Sequence, residues 1–241
     1  MLLKTKGIVF RQFKYGETGK IVKIYTKERG LMGFIIKGIR NKKSSTPVSL
    51  FQNLSILELV TSWNEKKDLH FIKEATQAHA YRTIPSDIKK STVILFLNEI
   101  LYKVIREEEA NRELFTFIEQ SLIHFDGQES NFSNFHIYFL SALTRFIGFH
   151  PSQEQRSDSR FFDMNEGRFT DIQPPHKYCI HPPESLLFRD ILNTSLAEYE
   201  KVNIVKASRI ELLDKILEYY RLHLPALQEI KSFGILQSLM R

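Results

Sequence analysis

The spacing of the apolar residues changes once along this chain of 241 residues, and that change restricts the architectures open to it. Up to about residue 82, β-branched and aromatic residues alternate with polar ones, as in "LKTKGIVFRQFKYGETGKIVKIYTKERGLMGFIIKG". Glycines at 16, 19 and 30 interrupt the run, the pattern of short strands joined by turns. The alternation predicts strands near 4–15, 20–27, 31–37, 53–62 and 68–77. From about residue 85 the apolar residues recur every three or four positions, which places them on one face of a helix. Val93, Phe96, Leu97, Ile100, Leu101, Val104 and Ile105 form one such stripe, and Leu114, Phe117, Ile118 and Leu122 another. Two more run from Phe135 to Ile147 and from Ile210 to Tyr220, with a short last element near "FGILQSL". An amphipathic helix needs about that much apolar face to pack, so these stripes are core and carry no chemistry of their own.

The expected fold class is therefore α+β: a five-stranded barrel of the OB-fold type, then an all-α domain. We place the division at 1–82, a nucleic-acid-binding barrel, and 83–241, a helical domain. An irregular insertion is expected at 149–183, where helical spacing collapses and prolines gather.

Charge divides the chain in the same place. Residues 1–82 hold 16 basic and 6 acidic side chains, a formal +10, while residues 83–241 hold 18 and 22, a formal −4. A basic field confined to one small domain attracts polyanions and releases their counterions on contact. Nucleic acid is the leading partner on that ground, and an anionic membrane surface the second. The densest knot is "IKGIRNKKSSTP", with Lys37, Arg40, Lys42 and Lys43, and the barrel adds Arg11, Lys14, Lys20 and Arg29. Each cation also has the plain reading of a solvated surface charge. Phe10, Phe13, Tyr15, Tyr25, Phe34, Trp63 and Phe71 are the candidate stacking platforms, although about half of any barrel strand must fill the interior.

Several chemistries fit poorly. "GETGK" at 16–20 is too short between its glycines for a phosphate-binding loop, and Ile21 rather than Ser or Thr follows its lysine. His176, Cys179 and His181 lie close together, but one cysteine with two histidines does not match the paired ligand spacing of a zinc site. No metal, cofactor or catalytic residue is expected. The lone cysteine forms no internal disulfide, no stretch is apolar enough to span a bilayer, and the N-terminus lacks a signal-peptide core. These features favour a cytoplasmic, nucleoid-associated setting.

The order of parts and the local wording resemble the RecO family of bacterial recombination mediators. The resemblance rests on the turn Tyr15-Gly16-Glu17-Thr18, the hairpin "YTKERG" at 25–30, and Lys37-Gly38-Ile39-Arg40. It continues in "LNEILYKVIREEEANRELF" and "YRLHLPALQEIKSFGIL" and so spans most of the chain. It implies a non-enzymatic protein of DNA repair that binds single- and double-stranded DNA and anneals complementary strands. With RecR, such a protein lets RecA replace single-stranded-DNA-binding protein (SSB). It further implies that the acidic C-terminal tail of SSB docks on the helical domain, for which Arg145, Lys103, Arg106 and Arg112 are the candidate cations. Many members carry four cysteines as a zinc module in the insertion. Only Cys179 stands there in this chain, so Phe161, Phe162, Met164 and Phe169 are expected to hold the insertion by packing. The alternatives are a helical protein-interaction adaptor with a merely solvated barrel, and an RNA-binding OB-fold protein.

Overall fold

The computed structural model describes residues 2–17, 19–36, 47–106, 109–152 and 159–240. Its first strands are β1 (Leu2–Tyr15), β2 (Gly19–Thr26) and β3 (Gly30–Ile36), followed by β4 (Ile56–Ser62) and β5 (Leu69–His79). They close into a barrel in the order β1-β2-β3-β5-β4, with β4 pairing back onto β1. The pairs are antiparallel except β3 with β5, which run parallel where Gly33–Ile35 meet Leu69–Phe71. This is the expected OB-fold. The β1–β2 and β2–β3 turns need left-handed backbone at Gly16 (φ 62°) and Gly30 (φ 67°), which a residue without Cβ adopts cheaply.

Alternate side chains of the strands fill the barrel: Val9 on β1, Val22 and Ile24 on β2, Met32, Phe34 and Ile36 on β3, Leu57 and Leu59 on β4 and Ala75 on β5. The ladder between β1 and β2 slips between Val9 and Arg11. The extra residue is Phe10, fully buried and stacked on Tyr25 with ring centroids 5.6 Å apart. A bulge of this kind bends the strand and re-aims the side chains that follow it. From Thr5 to Phe10 the strand is buried apart from the half-buried Lys6; beyond the bulge, Arg11 to Tyr15 reach the surface apart from the half-buried Gln12.

Two helices cover the buried stretch, α1 (Ile88–Val104) and α2 (Arg112–Gly127). Asp87 caps α1 by accepting from the Lys89 and Lys90 N–H groups, leaving an orphan donor of neither. Asn98 on α1 donates to the Phe10 carbonyl at 2.9 Å, and Phe115 on α2 lies 6.1 Å from the Tyr25 ring. Lys6 of β1 meets the buried Glu119 at 2.7 Å. Strand gives way to helix near residue 82 as expected, but the chain's compact units run 1–126 and 127–241. The first two helices belong with the barrel because their apolar faces are what bury its bulged side.

The second unit contains α3 (Phe135–Leu143), a three-stranded sheet, α4 (Glu184–Leu192), α5 (Lys206–His223) and α6 (Lys231–Met240). Its sheet pairs β6 (Phe161–Asp163) with β7 (Arg168–Thr170) and β8 (Cys179–Ile180) inside the insertion. Phe162 packs 4.8 Å from Phe169, 5.0 Å from Phe188 and 5.2 Å from Tyr219, so the insertion is held by aromatic packing. The stripe that ran from Phe135 to Ile147 is helical only to Leu143; turns follow to a left-handed Gly148. Among the described residues no helix is long and apolar enough to cross a membrane.

Candidate nucleic-acid interface

Past the bulge, β1 and β2 place like charges face to face. Arg11 lies opposite Lys23, and Lys14 opposite Lys20. Cations directly opposite on adjacent strands destabilise a sheet, and among the described residues no carboxylate pairs with any of the four. An anion from outside the chain would relieve both repulsions. The two pairs differ in direction. Lys20 shares the inward side with Gln12 and donates to its Oε1 at 2.6 Å, while Gln12 donates to the Phe51 carbonyl. Arg11 points outward, its guanidinium 5.0 Å from both the Phe13 and Tyr102 rings. Arg29, in the β2–β3 turn, lies over the Trp63 ring at 4.2 Å. Lys37, Arg40, Lys42 and Lys43 follow β3 in sequence and lie outside the described residues.

The structure sorts the aromatic candidates. Phe10, Tyr25 and Phe34 are core, whereas Phe13 (37% exposed), Tyr15 (48%) and Phe71 (40%) are on the surface. Trp63 is half-buried and packs against the barrel core. Lys23 is a candidate that sequence reasoning missed. Its position opposite Arg11 depends on the bulge, and the only sequence signal was its outward place between Val22 and Ile24. A Cβ built on Gly33 would sit 3.5 Å from the Lys23 ammonium, which places that cation above the β3 backbone beside Leu69.

The cations proposed for a protein partner are divided between the two compact units. Lys103 pairs with Glu99 at 2.9 Å, one turn away on α1, and Arg112 pairs with Glu28 of the β2–β3 turn. Arg106 is exposed just past α1. All three belong to the first compact unit and Arg145 to the second. Arg145 donates to the Leu192 carbonyl at 3.1 Å and to His150 Nε2 at 3.4 Å. Burial first, and then the Arg145 charge, hold His150 below the ordinary histidine pKa. Phe149, near Arg145 in sequence, is buried against Tyr219, Tyr220 and His223.

Among the described residues no three of His, Cys, Asp and Glu gather closely enough to hold a metal ion. His176 faces Asp163 at 3.3 Å, and His181 packs edge-on to Phe161. Cys179 is buried in β8, where desolvation first, and the Asp163 charge second, push its thiol pKa up. A thiol held protonated in this way is a poor nucleophile and a poor ligand.

Two family models match this chain. "Recombination protein O N terminal" covers residues 1–81, and "Recombination protein O C terminal" covers residues 85–232. The chain belongs to the RecO family. A DNA repair protein RecO of Phocaeicola vulgatus is 37% identical over 99% of both chains. Proteins of the same name from Bacteroides fragilis and Flavobacterium johnsoniae are 36% and 35% identical, again over 99% of each chain. As a RecO-family protein the chain is a recombination mediator in DNA repair, and neither an adaptor with an idle barrel nor an RNA-binding translation protein is favoured.

Proposed function

We propose that the barrel, residues 1–82, carries the DNA, with the strand crossing the outer face of β1 and β2 beyond the bulge. The observation that supports this reading is the outward-facing register of Arg11 with Lys23, beside the exposed Phe13 and Tyr15. Phosphates passing between the paired cations remove the repulsion built into the ladder, and bases on the solvent side meet aromatic faces. The knot Lys37, Arg40, Lys42 and Lys43, which follows β3 in sequence, adds four more positive charges to this part of the chain. Annealing needs no catalytic group on such a surface: it screens the repulsion between two strands, and duplex stacking supplies the driving force.

The helical residues, 83–241, carry the partners in this reading. RecR and the acidic tail of SSB are the partners that the family resemblance implies. Arg145 serves the tail only by giving up its bonds to Leu192 and His150, and Lys103 and Arg112 must first leave Glu99 and Glu28. Arg106, exposed past the end of α1, needs no such exchange among the described residues.

A salt titration tests the DNA surface. If about six phosphates are neutralised, log affinity for single-stranded DNA falls against log salt with a slope near −4. Arg11→Gln with Lys23→Gln removes two contacts and reduces that slope by roughly 1.4. The replacement of Lys37, Arg40, Lys42 and Lys43 by Ala reduces it further, and for every sequence alike. An unchanged slope in folded variants refutes the assignment.

A further inference from the structure

Where the β4–β5 loop passes the β2–β3 turn, the barrel surface opens into two adjoining hollows that share Trp63, Lys67 and His70. The larger, about 450 Å³, is completed by Asn64, Leu69 and Phe71. That volume falls within the roughly 300–1,000 Å³ of small-ligand clefts. The smaller, about 180 Å³, adds Arg29 together with the carboxylates Glu65 and Asp68. The two hollows therefore differ in charge. The smaller one balances Arg29 and Lys67 against Glu65 and Asp68, whereas the larger one has Lys67 as its only charged wall.

The walls of the larger hollow suit a flat, partly polar group. Phe71 is 40% exposed, and Trp63 lies under the Arg29 guanidinium at 4.2 Å while packing against the barrel core. His70 is 6% exposed, and its Nδ1 has no hydrogen-bond partner. That nitrogen is enclosed rather than open to the hollow, and the His70 ring lies 6.1 Å from that of Phe34. Burial is the chief influence on this ring and lowers its pKa, so His70 adds no cation to the hollow. The hollow adjoins the surface assigned above to DNA: Lys23 reaches over Gly33 to Leu69, and no β3 side chain stands between.

We propose that this cleft takes one unstacked nucleobase of the bound strand, its face against Phe71, its rim against Trp63, its polar edge toward Asn64 and its phosphate on Lys67. The assignment rests on the reading that DNA crosses the barrel, and it adds a fixed point at which the strand is held by a base as well as by phosphates. Such a point sets where the strand lies without selecting its sequence, because every base has a π-face.

Trp63 is the chain's single tryptophan, so its emission reports this cleft alone. The full chain is titrated with a labelled thymidine oligomer of about a dozen nucleotides, a length within the roughly 4–16 that one OB-fold covers, and with an abasic strand of the same length. Label anisotropy reads DNA binding, and Trp63 emission reads the cleft. The expected result is that both strands bind at low salt, but only the thymidine strand changes Trp63 emission, saturating with the anisotropy. Phe71→Ala, at an exposed site, weakens the thymidine strand about 5- to 150-fold, the equivalent of one lost base stack, and leaves the abasic strand as it was. Binding without a base-dependent emission change overturns the cleft and leaves the barrel surface standing. An emission change equal for both strands overturns it as well. Absence of binding in the anisotropy refutes the barrel reading, and the cleft with it.

Discussion

Asp126 closes the first compact unit, and removing its carboxylate should loosen the barrel's attachment to its helices. The side chain is 2% exposed. Oδ1 accepts from the Arg82, Thr83 and Ile84 N–H groups at 3.0, 2.9 and 3.0 Å, and Oδ2 accepts from Arg82 and lies 3.3 Å from His79 Nε2. These three amides belong to the segment that leads from β5 into α1. Asp126→Ala strands all three, and at the lower end of about 1 kcal/mol for each unpaired buried donor the loss is about 3 kcal/mol. Asp126→Asn keeps one acceptor oxygen in place and should cost only about 1 kcal/mol. With a urea m-value of about 2 kcal/mol/M, the Ala variant shifts the midpoint by about 1.5 M and the Asn variant by about 0.5 M. Trp63 emission followed through the urea transition reads the unit concerned. The pH dependence provides a second check. Burial by itself would raise the Asp126 pKa, but the Arg82, Ile84 and Thr83 amides and His79 outweigh it and leave the group below the usual carboxylate value. The stabilisation is therefore complete above the unfolded carboxylate pKa of about 3.9 and is lost as pH falls through the lower folded value. The urea midpoints of the parent and Asp126→Asn should converge there. An Ala variant within about 0.5 kcal/mol of the parent would refute the idea that these amides depend on Asp126.

His136 on α3 is fully buried with neither ring nitrogen partnered, and burial, then the Arg209 charge, push its pKa down to about 3. Because the unfolded chain protonates it near the ordinary value of 6.5, the second unit should lose stability steadily from pH 6.5 toward 3. His136→Leu should remove that decline and cost nothing at neutral pH, as read by far-ultraviolet circular dichroism; a destabilised variant with the same pH dependence would contradict it. Lys6 meets Glu119, whose carboxylate is 7% exposed, and that hydrogen bond is the main reason the Lys6 pKa is raised. Lys6→Ala should cost about 1–3 kcal/mol by leaving the carboxylate buried and unpaired, whereas Lys6→Ala with Glu119→Gln should recover part of it, measured by the same Trp63 urea transition.

The local pattern of this sequence was enough to determine its kinds of structure. Alternation before residue 82 and helical spacing after it are properties of a few neighbouring residues, and so are the turns at Gly16 and Gly30 and the confinement of positive charge to the barrel. Order along the chain was likewise enough to carry the family resemblance. Other features rest on contacts between distant residues. The bulge at Phe10 shifts the register by one residue, and a shift of one exchanges the faces of a strand, so the pairing of Arg11 with Lys23 could not be read from either strand alone. Whether Phe10 or Phe13 is available to a base follows from the same slip. The unit boundary at 126 rather than 82 follows from α1 and α2 packing on the bulged side. The short strands of the insertion pair across a span with too few residues each to show a period. The cleft at Trp63 exists only because the β4–β5 loop and the β2–β3 turn, more than thirty residues apart, meet where the barrel closes. Period is local and is written in the sequence; register and closure are set by the folded chain as a whole.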